Sequence, residues 1–73
     1  MPELTILSEN LRKLRQRMSE SQIKFAANCG ISTEELSLLE REKSDPKLST
    51  LQKVSAYAGI TVSELLKREG DEK

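Results

Sequence analysis

The sequence has no histidine and a single cysteine, Cys29, among its 73 residues. Without histidine there is no imidazole for acid–base work or for binding a metal. A lone thiol forms neither an internal disulfide nor a structural zinc site, and it fits a reducing, cytoplasmic setting. Glycine is limited to Gly30, Gly59 and Gly70, so no glycine-rich phosphate loop is present. Proline occurs only as Pro2 and Pro46, which leaves long stretches free to be helical. The opening MPELTILSEN lacks a basic n-region and a long apolar run, so secretion is not expected. No segment approaches the roughly 20 apolar residues that span a bilayer, so no membrane partner is expected. The neighbouring carboxylates Glu34 and Glu35 point to different sides of a helix and do not pair as acid and base. An enzyme, a metal site and a cofactor are all unexpected.

What is present favours helix. Leucine, alanine, glutamate, lysine, arginine, serine and glutamine dominate, and strand formers are few. A chain of this length buries only about 60% of its unfolded surface, so it predicts one small all-α domain over residues 1–73. Its core spans about residues 5–67, followed by a charged, frayed tail at 68–73.

The net charge is zero but unevenly distributed. Residues 10–24 hold Arg12, Lys13, Arg15, Arg17 and Lys24 against Glu20 alone. Residues 47–63 add Lys47 and Lys53 with no acid. Between them, residues 30–46 carry Glu34, Glu35, Glu40, Glu42 and Asp45 against only Arg41 and Lys43. Local fields, rather than the zero total, decide whether a polyanion is attracted.

Period and capping residues divide the chain into five helices. Leu7, Leu11, Leu14 and Met18 share one face of a first helix, from about Thr5 to Met18. Ser21 caps a second, Gln22–Cys29, with Phe25, Ala26 and Cys29 inward and Gly30 closing it. Ser32-x-x-Glu35 reads as a capping box for a third, from about Thr33 to Arg41, with Leu36 and Leu39 inward. Ser49-x-x-Gln52 reads as a second box, opening a helix whose Leu51, Val54, Ser55 and Ala58 share one side and which Gly59 ends. Thr61-x-x-Glu64 reads as a third, for a short last helix carrying Val62, Leu65 and Leu66. Tyr57 is expected to pack with its hydroxyl in water, and Cys29 to fill the core.

A set of landmarks then falls into one order without a gap: Leu14-Arg15, Ser21-Gln22, Ala26, Gly30-Ile31-Ser32, Glu40, Pro46, Leu48, Leu51, Ala58-Gly59-Ile60 and Ser63-Glu64-Leu65-Leu66. Over about residues 5–67 this pattern resembles the lambda-repressor-like helix-turn-helix family, also called the Cro/cI or XRE type. The resemblance implies a compact five-helix bundle with helices 2 and 3 as the helix-turn-helix. It also implies a transcription regulator that binds double-stranded DNA as a homodimer, with helix 3 in the major groove and half-sites about one helical turn apart. Carried onto this chain, Thr33, Glu34, Ser37 and Leu38 would face bases. Gln22, Arg41, Lys43 and Ser44 would face phosphates. Arg15 and Glu40 match a partly buried structural ion pair.

The chain departs from the family pattern at several places. Ser19 stands where a glycine is usual after helix 1, with Glu20 at a usually apolar position. Glu34 and Glu35 replace small or amide residues, Leu38 a polar or basic one, and Arg41-Glu42 an Asn-Gly. A carboxylate about 7 Å from a phosphate is repelled by about 0.6 kcal/mol in water and about 2.4 at an effective dielectric of 20. A good hydrogen bond to a base offsets this with about 1–3 kcal/mol of discrimination. Glu34 therefore has two readings, a base-reading group or a helix N-terminal stabiliser. Leu38 likewise is either packed at the helix edge or an exposed contact. The same scaffold also suits a protein-interaction module, antirepressor or antitoxin-like, with a protein partner in place of DNA.

Overall fold

Four of the five helices among the described residues end in the same way. A computed structural model describes residues 2–67, with side chains from Leu4 onward. It contains α1 (Pro2–Arg17), α2 (Gln22–Cys29), α3 (Thr33–Glu40), α4 (Leu48–Ala58) and α5 (Val62–Leu65), with no strand among the described residues. In α2 the N–H of Ile31 returns to the Ala26 carbonyl across Gly30, whose φ is 87°. In α4 the N–H of Ile60 returns to the Ser55 carbonyl across Gly59, at φ 76°. The same closure ends α1 across Ser19 and α3 across Glu42, by Glu20 N–H to the Arg15 carbonyl and Lys43 N–H to the Leu38 carbonyl. Ser19 and Glu42 adopt φ of 55° and 60°, so two L-residues hold the left-handed backbone that glycine takes without cost.

The helix starts follow the capping residues in three cases of four. Ser21 accepts the Lys24 N–H, and Ser32 the Glu35 N–H at 2.9 Å. Thr61 and Glu64 form the full reciprocal box, with the Glu64 carboxylate on the Thr61 N–H at 2.9 Å. Three expectations need correction. The box at Ser32 is only half formed, because the Glu35 carboxylate turns instead to the Thr50 hydroxyl. The box at Ser49–Gln52 is absent: α4 starts right after Pro46-Lys47, Lys47 is its N-cap without a side-chain bond, and Ser49 is already inside the helix. Helix α1 begins at Pro2, about three residues early, because proline suits a first helical position and Leu4 continues the apolar stripe.

The core is drawn from all five helices, with Leu7, Leu11, Phe25, Leu36, Val54 and Leu65 each at most 1% exposed. Cys29 belongs to it, as expected. Burial, with some help from the Glu20 charge, pushes its thiol from an ordinary 9.0 up to about 11. Phe25 meets Tyr57 edge to face at 5.6 Å, joining α2 to α4. The Tyr57 hydroxyl does not lie in water: it donates to Glu20 at 2.6 Å and accepts from Asn28 at 3.0 Å. Its phenol is held above its ordinary value first by that bond to Glu20. Asn10 of α1 donates to the Leu65 and Lys67 carbonyls and so anchors the end of the four-residue α5. The charged tail expected at 68–73 lies outside the described residues.

The left-handed Ser19 gives a stability test. An L-residue there costs about 1–2 kcal/mol, against about 0.4–1 kcal/mol of extra unfolded-chain freedom that glycine brings. Ser19→Gly should therefore raise stability in urea unfolding by about 0.5–1 kcal/mol. A lower urea midpoint for the glycine variant would show that position 19 is not strained.

Candidate nucleic-acid interface

The third helix is short, and its two faces differ in chemistry. Leu36, Leu39 and Glu40 are buried, which turns Glu34, Ser37 and Leu38 to the outer side, while Thr33, seven residues before Glu40, lies at the edge of the inner stripe. Glu34 is exposed, while Thr33, Ser37 and Leu38 are partly buried. Glu34, Ser37 and Leu38 share one face, and Thr33 flanks it at the first position of the helix. Arg41 caps the helix with its guanidinium folded back toward the Ser37 carbonyl at 3.4 Å. Lys43 is exposed and Ser44 half-buried just beyond. At about 1.5 Å per residue, Arg41 lies about 12 Å along the helix axis from Thr33.

Glu40 joins three helices at one point. Its carboxylate receives Arg15 Nε at 2.8 Å and Arg15 Nη2 at 3.0 Å, with the Glu40 side chain 3% exposed. The Glu40 carboxylate is the largest cause that raises the Arg15 pKa above its ordinary value. The expected ion pair is therefore present and bidentate. The same carboxylate accepts the Gln22 amide at 3.0 Å. The Glu40 carbonyl accepts the Ser8 hydroxyl at 2.6 Å and Arg12. Gln22, the first residue of α2, is thus fixed against α3 by one amide proton and keeps the second for another acceptor.

The acids of residues 30–46 now separate into engaged and free. Glu35 holds Thr50, Glu40 holds Arg15 and Gln22, and Glu42 accepts from Thr5 at 2.8 Å. Among the described residues no hydrogen bond or ion pair engages the Glu34 or Asp45 side chains. Sequence reasoning missed two exposed apolar residues, Ile23 at 70% and Leu48 at 64%. Ile23 could have been found because it falls outside the Phe25, Ala26 and Cys29 face of α2, whereas Leu48 stands in step with Leu51 and Ser55 and is exposed at the first position of α4. A groove of about 220 Å³ lined by Asn10, Lys13, Leu14, Arg17, Ile60, Glu64 and Lys67 draws on no residue of α2 or α3.

Removing Arg15 should strand a buried carboxylate. Arg15→Met is expected to cost about 3 kcal/mol in urea unfolding, the low end for a broken pair because Arg15 keeps some contact with water. The double variant Arg15→Met/Glu40→Met should recover part of that loss. Additive losses would show that the pair is not coupled.

The helix-turn-helix family model matches residues 11–65 of the chain. Over 60 residues, 82% of this chain, it is 43% identical to the HTH-type transcriptional regulator DdrOP3 of Deinococcus deserti. The chain spans 46% of that relative's length. Among solved structures, the hypothetical transcription factor NHTF from Neisseria superposes with a TM-score of 0.85 at 28% identity, covering 92% of this chain and 77% of that one. The N-terminal DNA binding domain of SinR from Bacillus subtilis gives 0.83 at 25% identity, covering 92% and 99%.

Proposed function

Because the chain belongs to the lambda-repressor-like helix-turn-helix family, we propose that it is a transcription regulator, and not an enzyme, that binds double-stranded DNA. One observation carries this reading. The Glu40 network locks the first residue of α2 against α3 while the outer face of α3 stays open. A helix held so rigidly by its inner side can present its outer side to a groove without reorganising.

In this reading Thr33, Glu34, Ser37 and Leu38 meet base edges in the major groove. Gln22 uses its second amide proton on a phosphate, helped by the free N–H groups at the start of α2. Arg41, Lys43 and Ser44 approach the backbone at the far end of α3. A homodimer places two such helices about one helical turn apart on a two-fold operator. The unit that does this comprises one domain, and a cytoplasmic location follows from the need to reach the DNA.

A second reading, docking of a protein partner on the same scaffold, draws on Ile23 and Leu48, two large apolar side chains left in water. Salt separates the two. Counter-ion release makes DNA affinity fall steeply with salt, whereas an apolar protein contact hardly responds.

Anisotropy with a labelled duplex from upstream of the protein's own gene is expected to show affinity falling about tenfold or more between roughly 50 and 200 mM salt. Gln22→Ala should weaken binding by a similar factor on all duplexes. Absence of duplex binding at low salt would remove the DNA reading and favour the protein partner.

A further inference from the structure

We infer that Glu34 sets the base preference of this interface by selecting a cytosine in each half-site, an inference that rests on the DNA-binding reading above. Glu34 is the one carboxylate on the outer face of α3, exposed and unengaged among the described residues. The other acids of that helix are committed: Glu35 to Thr50, and Glu40 to Arg15 and Gln22. Ser37 and Leu38 lie one turn away on the same face, so a groove that admits α3 brings Glu34 against base edges.

A free carboxylate facing a polyanion is repelled on every sequence unless a donor answers it. In the major groove only cytosine N4 and adenine N6 offer donors, while guanine N7 and O6 and thymine O4 are acceptors. Adenine places its N7 acceptor beside N6, where it repels the second carboxylate oxygen. Cytosine has a C–H at the neighbouring C5 and no such acceptor. The carboxylate therefore favours cytosine, whereas an amide at the same position offers a donor and an acceptor together and matches adenine N6 and N7. The helix-dipole role of an acid in the first turn affects stability but has no base preference.

The test is selection from randomised duplexes by the wild-type protein, Glu34→Gln and Glu34→Ala, with folding of each checked by circular dichroism. The wild type should enrich cytosine at one position of each half-site, roughly 5- to 150-fold over the other bases. Glu34→Gln should move that preference to adenine, and Glu34→Ala should abolish it. Both variants should bind random duplex more tightly than the wild type at low salt, because a repelled charge is gone. The same base ranking in wild type and Glu34→Gln would overturn the inference while leaving DNA binding intact. A wild-type protein with no salt-dependent duplex binding would instead end the DNA-binding reading, and the inference with it.

Discussion

Glu40 closes α3 with a carboxylate 3% exposed, gripped by two nitrogens of Arg15 and by the amide of Gln22. Burying that charge is costly, and only full pairing makes it tolerable. The pairing is spatially economical: Ser8, Arg12 and Arg15 stand at i, i+4 and i+7 on α1, and all three reach Glu40, through its carbonyl or its carboxylate. One residue thereby ties α1, α2 and α3 together. A hydrophobic pair of the same volume would fill the space but fix no orientation. A bidentate Arg–carboxylate pair fixes both distance and plane. The orientation of the outer face of α3, and of Gln22 beside it, depends on that plane.

Around this hub the backbone turns are set by left-handed closures. Gly30 and Gly59 make two of them freely, and Ser19 and Glu42 make the other two against their preference. The strained pair ends α1 and α3, the same two helices that Arg15 and Glu40 join. Packing and the ion pair therefore override local preference at these corners. Glu42 recovers part of the cost through its bond from Thr5, which also ties the loop after α3 back to α1.

Features built from neighbours three or four residues apart were readable in the sequence. The apolar stripe of α1, the caps at Ser21, Ser32 and Thr61, and the glycine stops at 30 and 59 are of this kind. Contacts between distant polar side chains were not. Glu35 has a local partner available at Ser32, yet it bonds Thr50, because α4 brings a buried hydroxyl within reach. Tyr57 finds Glu20 across 37 positions, and Asn10 finds the end of α5 across 55 and 57. No period in the chain announces such pairs. At the interface, Thr33, Glu34, Ser37 and Leu38 came from the family resemblance alone, since no period in the chain marks which residues face a partner. Which acids on that stretch are engaged became clear only once their partners were in place.

The most direct test of the account is amide chemical-shift mapping of the folded protein as a duplex carrying its selected site is added. We expect the shifts to concentrate at residues 22–24, 33–38 and 41–44, with the inner residues Leu7, Phe25 and Val54 little moved. Shifts centred instead on the α1–α5 groove around Asn10 and Glu64, or none with saturating duplex, would contradict a reading surface held in place by Glu40.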